Sequence, residues 1–254
     1  MRITLVGGPT AVLEVAGLRL LTDPTFSPAG VYESTPGRPL TKTEGPALDA
    51  NAVGRVDAVL LSHDQHADNL DPTGREVVAS APLILTTVDA AKRVGSAAQG
   101  LTSWQQVLLP LPGGGSLKIT AVPALHVPAG CEPSTGKVTG FVLSGQGLPT
   151  VYVSGDNASL DVVREIAARV QQIDVALLFA GAARTSLFDG AALSLTSSDA
   201  AEATCILGAR WAVPLHVRGW AHFSEGPSDV RRAFVTAGLA NRLRPLEPGE
   251  TTAF

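Results

Sequence analysis

The chain of 254 residues carries only five histidines, and four of them, His63, His66, His126 and His216, come directly after apolar runs that read as strands. Loops at strand ends hold functional groups on a rigid scaffold while leaving them open to a ligand. The segment from Ser62 to Asp71 packs His63, His66, Asp64, Asp68 and Asp71 behind one such run. Carboxylates crowded in this way repel one another and resist burial unless a cation neutralises them, and zinc accepts both imidazole nitrogen and carboxylate oxygen. A helix N-terminus capped by Asp68 or Asp71 would account for one acid but not for the group.

His126 and His216 close the runs Val122-Pro123-Ala124-Leu125-His126 and Val213-Pro214-Leu215-His216. Taken singly, each reads as readily as a hydrogen-bonded interior histidine. Between them Val153-Ser154-Gly155-Asp156-Asn157 is an apolar strand ending in a small-residue turn with one acid, which alone is equally a turn or cap residue.

The elements that must position these groups follow from apolar periodicity. Strands are expected at 3–6, 11–15, 18–21, 56–61, 82–86, 116–122, 140–143, 150–153, 173–179 and 211–215. Helices are expected at 90–94, 160–170, 198–207, capped by Ser197 or Ser198, and 228–237, capped by a serine. From Pro24 to Pro46 the chain fills with Pro, Gly, Ser and Thr and shows neither period, so it reads as a long surface loop or lid. Strands followed by strands alternating with helices fit helix-covered sheets in one α/β domain.

Composition narrows the class. Hydrophobic residues make up 45% and charged residues 17%, enough to bury a substantial core. A formal net charge of −4 offers no positive field for nucleic acid or an anionic membrane. Cys131 and Cys205 form no CxxC pair and read as buried small residues. The first residues lack a long apolar segment and no stretch reaches the length of a membrane span. The expectation is a cytoplasmic protein whose partner is a small-molecule substrate, not nucleic acid or a membrane.

The His-rich loop, Pro123-Ala124-Leu125-His126, Ser154-Gly155-Asp156 and Pro214-Leu215-His216, in that order, resemble the metallo-β-lactamase superfamily. Leu20-Leu21-Thr22-Asp23-Pro24 resembles its ascorbate-6-phosphate lactonase-like branch, and the likeness covers about residues 3–225. It implies an αββα sandwich, two mixed sheets packed together with helices on the outer faces, in a single domain over 1–254. It also implies that His63, His66 and His126 hold one metal while Asp68, Asp156 and His216 hold a second, Asp156 bridging. The cofactor would be one or two Zn²⁺, with Mn²⁺ or iron as alternatives.

Two departures from the family pattern His-x-His-x-Asp-His stand in the loop. One residue is inserted between His63 and His66, and Asn69 replaces the last histidine. An alignment placing Gln65 at the second histidine stays open; the one adopted keeps His66, because a loop absorbs a residue more readily than a cation gives up a charge-compatible donor. An amide oxygen is a weaker ligand than imidazole, so the second metal should bind less tightly or be absent.

The function so implied is a metal-dependent hydrolase, zinc or manganese, that cleaves an ester, lactone or phosphoester bond with metal-activated water oriented by Asp68. Arg218, Trp220 and His222, just beyond His216, are the substrate-binding candidates. Two other readings remain: iron-dependent redox chemistry on the same scaffold, and a non-catalytic or degenerate metal-binding protein.

Overall fold

Residues two apart in a strand face the same way, and this alternation sorts the apolar side chains into separate interfaces. In Val175–Phe179, Val175, Leu177 and Phe179 join one core while Ala176 and Leu178 join another. The computed structural model describes residues 1–35, 38–126, 136–186 and 188–254. Cys131 lies outside the described residues.

The first sheet contains β1 (Arg2–Gly7), β2 (Thr10–Val15), β3 (Leu18–Thr22), β6 (Ala58–Leu60), β7 (Ile84–Thr87), β8 (Ala98–Leu101) and β15 (Thr251–Ala253), in the order β15-β1-β2-β3-β6-β7-β8. The second contains β9 (Gln106–Pro110), β10 (Ser116–Ala124), β11 (Val138–Ser144), β12 (Val151–Val153), β13 (Val175–Phe179) and β14 (Trp211–Leu215), in the order β14-β13-β12-β11-β10-β9. Both are mixed. β3, β6, β7 and β8 are mutually parallel, as are β12, β13 and β14, while β1–β2 and β10–β11 pair antiparallel.

The two sheets share one core, to which Leu13, Leu20 and Leu60 come from the first and Ile119, Phe141 and Leu177 from the second. Outside the second sheet, Val142, Tyr152 and Leu178 pack under Val163 and Ile166 of the helix Leu160–Arg169 and Phe234 of the helix Pro227–Thr236. Outside the first, Val59, Leu61 and Ile84 pack under Val53 and Val78. This is the αββα sandwich, with β3, β6, β10, β12, β13 and β14 all delivering their C-terminal ends to one edge. No described helix is long and apolar enough to cross a membrane.

Several local expectations need correction. The segment 24–46 is not structureless: β4 (Gly30–Thr35) and β5 (Arg38–Lys42) form an antiparallel hairpin. Its strands are largely exposed, so they carry no apolar alternation that could announce them. The helix Ser197–Ile206 is capped by Thr196, whose hydroxyl accepts from the Asp199 N–H at 3.1 Å. The last helix begins at Pro227, and there the Asp229 carboxylate accepts from the Gly226 N–H instead of any serine cap. Cys205 is exposed, not buried. The helix N-terminus considered at Asp68 or Asp71 is present, with Asp71 capping the helix Pro72–Ser80, whereas the strands β8 and β9 have no counterpart among the expected elements.

Candidate metal centre

Each candidate ligand leaves the sandwich at the same edge. β6 ends at Leu60 and its continuation carries His63, His66 and Asp68; β10 leads to His126, β12 to Asp156 and β14 to His216. Gly155 precedes Asp156 with φ +55°, and an added Cβ would stand 2.8 Å from both the Ser62 Cβ and the Thr139 carbonyl oxygen. Only glycine fits this turn. His216 holds φ 57° without being glycine, a left-handed conformation that persists where the surroundings impose it. Its N–H donates to the Gly8 carbonyl at 2.8 Å.

Three imidazoles meet here. His63 Nε2 lies 2.9 Å from His66 Nδ1, and His126 Nε2 lies 3.3 Å from the same atom. Asp156 Oδ2 stands 4.0 Å from His63 Nε2 and 3.9 Å from His126 Nδ1. Beside them, His216 Nε2 is 3.0 Å from Asp68 Oδ2 and His216 Nδ1 is 3.4 Å from Asp156 Oδ1. The side chains therefore fall into two groups able to hold a cation, His63, His66, His126 and Asp156 in one and Asp68, Asp156 and His216 in the other.

The neighbours of the histidines decide which nitrogen carries the proton and which the lone pair. Asp23 accepts at 2.6 Å from both the Ser62 N–H and the Ser62 hydroxyl. That hydroxyl can then only accept from His63 Nδ1, 3.0 Å away, which leaves the His63 Nε2 lone pair facing the cluster. His126 Nδ1 donates to the Leu193 carbonyl, which turns the Nε2 lone pair towards His66 Nδ1. Outer partners of this kind fix the tautomer of metal-ligating histidines.

Electrostatics points the same way. Burial lowers the pKa of His63, His66, His126 and His216, that of His126 to about 3. Burial pushes Asp23 up to about 7, and burial, then the charges of Asp68 and Asp23, push Asp156 well above its ordinary value. Asp68 is also raised by burial, yet the charges and hydrogen bonds of His222 and His216 outweigh this and hold it well below the usual carboxylate range. Among the described residues, neither Asp156 oxygen nor His216 Nδ1, all buried, has a hydrogen-bond partner. Unpaired buried carboxylate oxygens are costly, and the imidazole nitrogens of His63, His66 and His126 converge at 2.9 to 3.3 Å, near the roughly 3.3–3.4 Å spacing of donors about 2.0–2.1 Å from one tetrahedral cation. The residues fit a metal.

The other loop residues face elsewhere. Asp64 pairs with Arg93, at 2.5 Å and 2.8 Å. Gln65 packs against Gly136, and the Asn69 amide donates to Asp23 Oδ2 at 3.0 Å. A cavity of about 290 Å³ opens over His66, Asp68 and His126, walled by Leu40, Ala183, Phe188 and Leu193, with Arg38 and Arg184 also lining it.

Of the three residues expected to bind substrate, only His222 lines this cavity, with Nε2 3.0 Å from Asp68 Oδ2. Arg218 is held away from it by Glu44 and Glu247, at 2.9 Å and 2.5 Å. Trp220 is buried between Tyr32, at 6.3 Å between centroids, and Lys42. Asp23, Ser62 and Arg38 also serve the site; Asp23 lies in Leu20-Leu21-Thr22-Asp23-Pro24 and Ser62 opens the His-rich segment, so only Arg38 stands outside the segments that carry the family likeness.

A family model described as the β-lactamase superfamily domain matches residues 18–217. The chain belongs to the metallo-β-lactamase superfamily. A Pyrobaculum neutrophilum protein named as a metal-dependent hydrolase is 29% identical over 259 residues, spanning 98% of each chain. Isothiocyanate hydrolase from Delia radicum gut bacteria shares the fold with a TM-score of 0.83 at 21% identity, over 100% of this chain and 99% of that one. Igni18, a metallo hydrolase from Ignicoccus hospitalis, does so with a TM-score of 0.72 at 22% identity, over 100% of this chain and 97% of the other. As a superfamily member, this chain shares its fold with both of these hydrolases.

Proposed function

We propose that this metal-dependent hydrolase cleaves an ester, lactone or phosphoester bond in a small anionic substrate, with His63, His66, His126 and Asp156 holding one cation and Asp68, Asp156 and His216 a second. The observation that carries the reading is the convergence of His63 Nε2, His66 Nδ1 and His126 Nε2 beside the unpaired, buried Asp156 carboxylate. A zinc or manganese ion held there would supply Lewis acidity, lowering the pKa of water towards about 7 and polarising the oxygen under attack.

The chain's own residues do the rest. Asp68 lines the cavity and stays ionised, so it orients the attacking water and accepts its proton. The Asp23–Ser62–His63 relay and the Leu193 carbonyl keep the imidazoles in the ligating tautomer. Leu40, Ala183, Phe188 and Leu193 exclude bulk water from the reacting bond. Among the described residues Arg38 has no acidic partner, and the Arg184 guanidinium is oriented by Ser224 at 3.1 Å and by the Gly190 carbonyl. Two guanidiniums free of carboxylates at one cavity suit a carboxylate or phosphate on the substrate.

The test is a screen of lactones, phosphodiesters and phosphotriesters with Zn²⁺ and Mn²⁺ added. Asp68→Asn and His126→Ala are expected to abolish turnover with circular dichroism unchanged, and Arg38→Ala to raise KM for anionic substrates more than for neutral analogues. Full activity in both Asp68→Asn and His126→Ala would refute the reading.

A further inference from the structure

Asn69 stands where the superfamily loop carries its last histidine, and its amide donates to Asp23 at 3.0 Å, in the layer behind the cluster. The second carboxylate-centred group is thereby short of an imidazole from its own loop. One reaches it from another part of the chain: His222 Nε2 lies 3.0 Å from Asp68 Oδ2, the same oxygen that His216 Nε2 approaches at 3.0 Å. Both ring nitrogens approach one carboxylate oxygen at 3.0 Å, which puts the His222 imidazole at the Asp68 end of the group formed by Asp68, Asp156 and His216.

The position of His222 is built. The loop after His216 is clamped to the hairpin, where the Thr43 N–H donates to the Gly219 carbonyl at 2.8 Å and the Ala221 N–H to the Thr41 carbonyl at 2.9 Å. On the other side the Arg184 N–H donates to the His222 carbonyl at 2.9 Å. Phe223 packs against both rings, 4.2 Å from the His216 centroid and 4.7 Å from that of His222. His222 is 13% exposed and lines the cavity beside Asp68. An imidazole held this firmly loses little conformational freedom on ligation.

We infer that His222 replaces the missing loop histidine as a ligand of the second cation, completing a site of Asp68, His216 and His222 with Asp156 shared between the two ions. This rests on the metal-dependent reading above. The chain has thus moved one ligand from the His-rich loop to the loop after β14, and the loop amide has become an outer donor to Asp23.

The experiment measures bound zinc, not turnover. Chelator-stripped protein is reloaded with Zn²⁺, and metal content and affinity are read by elemental analysis and calorimetry. Wild-type protein is expected to take up two ions. His222→Ala should keep the first and lose at least about 100-fold in affinity for the second, more than the roughly 10–100-fold that loss of an outer-shell partner costs. His222→Glu, whose carboxylate oxygen reaches about as far from the backbone as the imidazole Nε2, should restore the second ion, which a purely structural role of the histidine would not predict. Two tight ions in His222→Ala, or no recovery in His222→Glu, would overturn the inference. Failure of wild-type protein to bind any zinc, manganese or iron would instead overturn the metal-dependent reading beneath it.

Discussion

Replacing Asp71 by asparagine should destabilise the protein more than removing its cationic partner Lys42 does. Asp71 is fully buried and accepts four hydrogen bonds: from the N–H groups of Phe26 at 3.0 Å, Ser27 at 2.8 Å and Gly74 at 2.8 Å, and from Lys42 Nζ at 2.9 Å. One carboxylate thus caps the helix Pro72–Ser80, orders the residues after β3, and pins the end of β5, the strand that begins at Arg38. Besides Asp71, Lys42 Nζ donates to the Thr25 carbonyl at 3.0 Å and lies 5.5 Å from the Trp220 ring centroid. In Lys42→Met the carboxylate keeps three backbone donors, so the loss is that of one charged hydrogen bond, about 1.5–3 kcal/mol. In Asp71→Asn a buried ammonium is stranded and a donor group faces other donors, which costs about 3–5 kcal/mol. With an unfolding entropy of about 2.1 cal/mol/K per residue, a chain of 254 residues loses about 6–9 °C in Tm for Asp71→Asn and about 3–6 °C for Lys42→Met. Differential scanning calorimetry of the two variants at neutral pH measures this. Burial already lowers the Lys42 pKa against the pull of Asp71, so the Asp71→Asn deficit should shrink as pH rises and the stranded lysine sheds its proton. Equal losses in the two variants, or a larger one in Lys42→Met, would refute the argument that the backbone donors distinguish the partners.

Gly181→Ala would place a Cβ 2.1 Å from the His216 carbonyl oxygen and 3.1 Å from the Phe223 ring; relieving the clash displaces His216 by about 1 Å, a misplacement worth about 10²-fold in rate, and unchanged zinc content and turnover would count against the role given to His216. Burial lowers the His126 pKa from 6.5 to about 3, so its contribution to metal-free stability is present above pH 6.5 and is lost as pH falls towards 3, because the unfolded chain takes up the proton first. Asp23 and Asp156, whose pKa values are raised, act in the opposite sense, so the check is the difference between proteins: metal-free wild type should lose more Tm from pH 7 to pH 4 than His126→Asn does, and parallel curves would contradict it.

Much of the scaffold was legible because it is written in neighbouring residues. The apolar runs behind His63, His126, Asp156 and His216 announce strands, and the prolines and glycines beside them announce where the strands stop. Sandwich order followed from those elements together with the family likeness. The hairpin Gly30–Lys42 was not legible, since exposed strands among prolines and glycines show no period. Its anchor is instead the buried pair of Lys42 with Asp71, 29 positions away. Cap identity failed for a similar reason: Thr196 won over the adjacent serines through its reciprocal bonds with Asp199.

By itself, the sequence determined that several imidazoles and carboxylates sit at strand ends and that one loop histidine has become Asn69. Tertiary structure decided which of them meet and what stands behind them. His222 touches Asp68 across 154 positions, Asn69 turns to Asp23 across 46, and Arg218 is drawn off by Glu44 across 174, leaving Arg38 and Arg184 at the cavity. Closing a longer loop costs only slightly more entropy than closing a shorter one. Partner choice over such spans is therefore set by the packing of the sheets and loops, and short-range sequence pattern carries no trace of it.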